Sequence, residues 1–227
     1  MKAIDYPAVC YTCTKMKRIL FILVILSVAI PLSAFNTMEA RFGLLWMGNA
    51  EEESAPSPLI TTAGAAIPFA LPGKFGFQAD VDLFGQPYLL SEGGRAVPAE
   101  IEYREVLVLG MMLNPAFTFD LLSQEKISLA AVASPSFILR IPTIAWDEGG
   151  DNRGDIAGYL FGSGRFFFPA VGISGIWNHF PRIPLTFRLM TFFPIFHLWD
   201  GEGLPLYDQL MVQLSFGFLF NVGKKTF

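Results

Sequence analysis

Cysteine is almost missing: the 227-residue chain has two, Cys10 and Cys13, and both precede its first long apolar run. Their C-x-x-C spacing is that of redox and metal motifs. A pair placed ahead of an export signal takes no part in the mature chain's chemistry. Without cysteine after that run, neither a disulfide framework nor a lipid-anchored N-terminus is expected. Long hydrophobic runs are also lacking beyond the N-terminal segment. A helical span needs about 20 mostly apolar residues. The best candidate is bracketed by Glu105 and Asp120 and broken by Pro115, and Arg140 and Arg188 cut two others. Histidine occurs twice, at His179 and His197. No metal-ligand spacing, phosphate-binding glycine loop or nucleotide motif is present, so no cofactor is expected.

Basic charge is scarce as well. Residues 1–34 hold four basic side chains and one acidic; the remainder holds 12 basic and 19 acidic, a net charge of −7. Nothing in that balance recruits nucleic acid.

What the chain does contain is apolar and aromatic. Hydrophobic residues make up 52%, with 23 Phe, and mean hydropathy is +0.45. Yet 21 Gly and 16 Pro are spread throughout, which suits strands and turns better than helices. The N-terminus has the layout of an export signal. Lys15, Lys17 and Arg18 form a basic cluster, Ile19–Ile30 an apolar core, and Pro31-Leu32-Ser33-Ala34 a small-residue exit. Residues 1–34 are therefore assigned to an N-terminal extension and signal peptide, with Met16 the natural start, and residues 35–227 to the mature domain.

The C-terminal stretch Gln209–Val222 sets the pattern for that domain. Val212, Leu214, Phe216, Phe218, Phe220 and Val222 fall on one face, and Met211, Gln213, Ser215, Gly217, Leu219 and Asn221 on the other. One unbroken apolar face with three Phe needs a cover, and lipid supplies one without a second protein layer. In an expected strand Phe75–Phe84, Phe75, Phe77, Ala79, Val81 and Leu83 oppose Gln78, Asp80 and Asp82 in the same manner, and Phe42, Leu44 and Trp46 share a face of Ala40–Gly48. Further strands are expected over Leu59–Leu71, Glu100–Phe119, Ile127–Ile141, Tyr159–Trp177 and Leu185–Trp199. In the first part of Glu100–Phe119, Ile101 and Tyr103 alternate with Glu100, Glu102 and Arg104.

That makes about eight strands. The breaks between them alternate: those holding Glu51–Glu53, Ser91–Arg95, Asp147–Asp155 and Asp200–Glu202 are long or acidic, and those between are shorter. Outer-membrane barrels have short periplasmic turns and longer outer loops. Trp146, Trp199 and Tyr207 flank the outer breaks, where interfacial girdles lie. A bilayer also demands that every backbone group be hydrogen-bonded, which a closed barrel achieves. The expected fold is all-β: a closed antiparallel up-and-down transmembrane β-barrel in the bacterial outer membrane, with lipid as its immediate partner. Pro115, Pro135 and Pro194 fall inside expected strands and mark bulges or segments beyond the membrane.

Parity sends Arg41, Asp80, Asp82, Glu100, Glu102, Arg104, Arg140 and Arg188 into the lumen. They form either a polar conduit or a paired network filling an interior just wide enough for side chains. His197 shares parity with the lipid-facing Phe193 and Ile195, near Asp200, with Ser91 in an outer break and Ser163 inside the expected strand Tyr159–Trp177, and no pattern brings either serine to it.

Ser215, Gly217, Phe220 and Val222 resemble the assembly signal of outer-membrane barrels: a polar residue, a gap, Gly, then two spaced hydrophobics. The resemblance implies recognition by the barrel-assembly machinery. Phe227 ends the chain as in many bacterial barrels, although Gly223-Lys224-Lys225-Thr226 departs from a strand running to the terminus. The layout is similar to small eight-stranded outer-membrane proteins of the OmpW and opacity types and to spirochaete barrels. OmpW-type members imply passage of small apolar solutes. A narrow channel is thus one expected function, a surface-exposed structural or adhesive barrel meeting host or matrix ligands another, and a lipid-modifying enzyme a third.

Overall fold

Strict two-residue alternation produces strands here, and their apolar faces turn outward. In the computed structural model, which describes residues 37–51, 57–146, 151–178 and 184–221, the chain forms β1 (Thr37–Met47), β2 (Leu59–Ala70), β3 (Phe75–Leu90), β4 (Ala96–Pro98), β5 (Val106–Ser123) and β6 (Ile127–Ala145). Then follow α1 (Arg153–Phe161), β7 (Phe167–Trp177), β8 (Leu185–Phe192) and β9 (Met211–Asn221). Among the described residues no helix is long and apolar enough to cross a membrane.

Each strand pairs antiparallel with the next, β4 excepted, which pairs only with β3. β9 returns to β1, with Phe42 opposite Phe216, so eight strands close on themselves and leave no free edge around the ring. The short connections 71–74 and 124–126 lie at one end, where β7 also finishes and β8 begins. The four longer ones lie at the other, where β1 finishes. Pro72-Gly73 makes the first short turn; Gly73 has φ +77°, a conformation L side chains avoid.

The wall is apolar outside. Phe42, Leu44, Phe75, Val81, Leu83, Leu109, Phe117, Phe216 and Phe218 are all exposed, while the alternating Arg41, Asp80, Asp82, Met112, Asn114 and Gln213 are buried. Outward rings stack across strands, as in Phe75–Phe119 and Phe77–Phe117.

Four expected boundaries move. β3 continues past Phe84 to Leu90 because Gln86 and Tyr88 keep the inward parity and are buried. The alternation of Glu100–Arg104 is not a strand: this is an exposed turn, tied by Tyr103 N–H to the Glu100 carbonyl at 3.1 Å, and β5 begins at Val106. Tyr159 belongs to α1, whose Ile156 and Leu160, four residues apart, are buried together, and β7 starts only at Phe167. β8 stops at Phe192, since Pro194 cannot donate to a ladder, and a 3₁₀ turn follows over Ile195–Leu198. Pro115 and Pro135 do lie within strands. They sit where the β5–β6 pairing lapses between Leu113–Phe137 and Phe117–Ala133, and the Ser134 hydroxyl donates to the Pro115 carbonyl at 3.2 Å.

β3, β5 and β6 rise beyond the rest of the ring. Their ends, with β4 and α1, enclose a second core of Tyr88, Ala96, Val106, Val108, Ile156 and Leu160. The expected signal segment and Cys10 and Cys13 lie outside the described residues, as do His179 and Val222–Phe227.

Candidate functional site: the packed lumen and its outer cap

Inward positions near the short-turn end carry the charges. Arg41 lies on β1, and Asp80 and Asp82 on β3; strand pleating aims all three inward. The Arg41 guanidinium donates to both Asp82 carboxylate oxygens, from Nε at 2.9 Å and Nη2 at 2.6 Å, a bidentate pair. Its Nη2 also lies 3.4 Å from Asp80, whose other cationic neighbour is Arg188 from β8. Asn114 Nδ2 reaches Asp82 at 3.5 Å. Two arginines therefore face two carboxylates with side chains nearly or wholly buried. Nearer the short-turn mouth, Glu39 accepts from Gln78 Nε2 at 3.0 Å and from Thr186 Oγ1 at 2.7 Å. These residues border a pocket of about 80 Å³ with Pro68, Ser174 and Ile176. Glu39 was not among the expected lumen residues, although it shares the parity of Arg41 two positions away.

Above the charged layer the interior turns apolar. Leu45, Met47, Met112, Phe168, Phe192, Phe196 and Met211 have no exposed surface at all, and Phe168 packs edge-on against Phe196. Arg140 sits among them and pairs with no carboxylate among the described residues. It donates to Gln209 Oε1 at 2.9 Å and to the Arg165 carbonyl at 2.8 Å, and stacks over Phe168. Of the eight charges assigned to the lumen, Arg41, Asp80, Asp82 and Arg188 meet in one layer and Arg140 lies in the next. Glu100, Glu102 and Arg104 are elsewhere: all three are exposed in the turn before β5, and Arg104 lies over Trp146. Alternation imitated a strand there because charged and apolar residues also alternate in a solvated turn.

A second charge network closes the long-loop end, and no periodicity announces it. Arg95, between β3 and β4, donates to Glu51 at 2.7 Å and to Asp208 at 3.0 Å, with Glu202 3.7 Å away. Arg165 reaches Glu202 and lies 3.6 Å from Asp200. Tyr159 on α1 donates to Glu202 at 3.0 Å. All four longer connections contribute a member. Burial works against the Arg95 charge, and the hydrogen bond with Tyr159 and the Asp208 carboxylate overcome it, so its pKa stands above the ordinary value. Burial raises the Tyr159 phenol, with Arg95 and Arg165 pulling partly back.

His197 turns inward rather than to lipid. Its Nδ1 is 2.9 Å from Asp200 Oδ2 and its Nε2 is 2.9 Å from the Asp208 carbonyl. Both ring nitrogens are engaged, which leaves neither to serve Ser91 or Ser163 as a base. In β9, Ser215 is buried and Phe220 faces out. A Cβ at Gly217 would come 2.6 Å from the Ala40 carbonyl, so glycine is required there by packing alone.

A closed ring, charged within and apolar without, is inverted relative to a water-soluble barrel. It defines a small eight-stranded transmembrane β-barrel of the outer-membrane type. No family model matches the sequence, and no curated protein matches it. Among solved structures the chain is similar to Neisserial surface protein A (TM-score 0.48, 10% identity, covering 82% of this chain and 97% of that one). It is also similar to the Yersinia pestis outer membrane protein Ail (TM-score 0.42, 7% identity, covering 82% and 99%). The class assignment stands on the strand pairing and the inverted polarity.

Proposed function

We propose that this protein is a non-conducting barrel of the bacterial outer membrane that holds a rigid platform at the cell surface, where it meets a basic partner. The observation that carries this reading is the filled lumen. A solute moving along the axis has to displace the ion-paired layer of Arg41, Asp80, Asp82 and Arg188, then Phe168, Phe192 and Phe196, and then the cap held by Arg95. These groups use the eight-stranded interior as packing. The expectation of a narrow channel gives way to the surface-exposed structural or adhesive alternative. Engagement of both His197 nitrogens supports a non-enzymatic role.

The platform supplies the contact surface. Around β4 the exposed side chains are Glu92, Glu100 and Glu102 against a single Arg104, which lies over Trp146, together with Ile101 at 70% exposure and Tyr103 at 63%. Carboxylates beside an exposed aromatic and an aliphatic side chain suit lysine- and arginine-rich surfaces. Assembly of the barrel is assigned to the C-terminal stretch, with Ser215, Gly217, Phe220 and Val222 recognised by the barrel-assembly machinery. The test of function is adhesion. Proteoliposomes carrying the full chain should adhere to polylysine-coated surfaces and not to polyglutamate, and E100K/E102K should abolish most of the adhesion. Unchanged adhesion of that variant, or none by the wild type, contradicts the reading.

A further inference from the structure

The connection between β8 and β9 has the polarity of the barrel wall. In residues 193–210 every ionisable side chain except the Tyr207 phenol turns inward: His197 is 2% exposed, Asp200 0% and Asp208 1% by side chain, and Glu202 binds Arg165 and Tyr159. The residues facing out are Phe193, Leu198, Trp199, Leu206 and Tyr207, with Leu198 at 75% and Leu206 at 67%. A loop in water has the reverse arrangement.

Strand lengths give a reason. A strand rises about 3.3 Å per residue, so one tilted by about 40° climbs about 2.5 Å per residue along the barrel axis. β6, with 19 residues, climbs about 48 Å; β8, with 8, climbs about 20 Å. The apolar band of an outer-membrane barrel is about 25 Å tall. β8 alone falls short of it. The outward row of β8 runs from Leu189 through the half-buried Thr191 to Phe193 and then into the connection.

Non-strand backbone is tolerated at the edge of a bilayer only if its polar groups find partners within the protein. Here they do. Phe193 N–H bonds to the Pro169 carbonyl at 2.9 Å, and Ile195, His197, Trp199 and Asp200 donate to carbonyls of Phe193, Pro194 and Phe196 at 2.9–3.2 Å. Pro194 and Pro205 have no N–H to satisfy. Asp208, Gln209 and Leu210 donate to Pro205, Gly48 and Tyr207. The Trp199 indole N–H donates to the Ser163 carbonyl at 2.8 Å.

We propose that residues 193–210 form a lipid-contacting ledge. They lie in the outer leaflet and complete the wall where β8 stops short, while the outer ends of β3, β5 and β6 stand clear of the membrane. The occupant of the exposed patch is lipid, on two grounds: its surface is continuous with the lipid-facing wall, and its charges are withdrawn to the inside. This rests on the reading of the barrel as bilayer-spanning.

The test uses the full chain with Cys10 and Cys13 replaced by Ser, carrying one spin label at L198C, L206C, F216C or I101C, in phospholipid vesicles. Collisions with oxygen and with a water-soluble nickel chelate are compared. Labels at Leu198 and Leu206 are expected to favour oxygen as F216C does, and I101C to favour the chelate. Chelate access at Leu198 and Leu206 with F216C still in lipid overturns the ledge alone. Chelate access at F216C as well overturns the membrane reading and the ledge with it. Dipolar coupling between labels of two molecules assigns the patch to a second copy and also overturns the proposal. A measurement without cysteine substitution provides a check on folding effects. With Trp46, Trp146 and Trp177 replaced by Phe, Trp199 fluorescence should be quenched by brominated phospholipid and little by acrylamide; the opposite result contradicts lipid contact.

Discussion

Arg41 shows how a membrane barrel keeps charge inside it. Its bidentate bond to Asp82 and its approach to Asp80 compensate the charge of a guanidinium that is 2% exposed, leaving only Nη1 without a hydrogen-bond partner among the described residues. Removing one member of a buried pair costs about 3–5 kcal/mol because the other is left uncompensated. Asp82→Ala is therefore expected to lower stability by about 3 kcal/mol, read from the denaturant concentration at which heat-modifiable gel migration is lost. Replacing both partners, R41M with D82L, should lose less than the single change. Arg95 plays a comparable part in the cap. Arg95→Ala leaves Glu51, Asp208 and Glu202 without their shared cation, and protease cleavage of the long connections should rise while the barrel stays heat-modifiable. Because burial raises the Tyr159 pKa, its contribution is complete below the phenol's ordinary value of about 10 and is lost as pH climbs through the higher folded value. Protease access to the cap should increase over that alkaline range, and Y159F should lack this step.

At the scale of elements, what could be read in the sequence was whatever repeats every two residues. β9, β1 and the first half of β3 alternate between an apolar face and a mixed one, and lipid tolerates no exceptions at mid-depth. Phe216→Arg, on the outer face of β9, is expected to cost about 2–4 kcal/mol in the same gel assay. The lumen charges followed from that parity, as Arg41, Asp80, Asp82 and Arg188 illustrate. Glu39 escaped only because β1 begins three residues earlier than the alternation suggested. The outer elements were not legible in this way. α1 buries just Ile156 and Leu160, with Gly154 and Gly158 around them, so no helical stripe stands out. β4 is three residues long. The cap joins Arg95 to Asp208, 113 positions away, and no local pattern encodes such a meeting. Glu100–Arg104 failed in the opposite sense, carrying the right period with nothing to pack against.

The whole molecule is a ring of eight strands whose interior is packed in layers: polar at the short-turn mouth, ion-paired above it, apolar across the middle, and charged again beneath the outer connections. The layers seal independently, by hydrogen bonds, ion pairs and apolar packing, so no single substitution should open a path. The long side of the ring, built from β3, β5 and β6, carries the platform with its own core, which the short side lacks. Transport and surface presentation make opposite demands on this interior, and current through a single barrel distinguishes them. The purified full chain is inserted into a planar lipid bilayer, with insertion verified by heat-modifiable migration of the recovered protein. The account predicts a flat current under applied voltage, for the wild type and for Arg95→Ala alike. Discrete, reproducible conductance steps from the wild-type protein would contradict it.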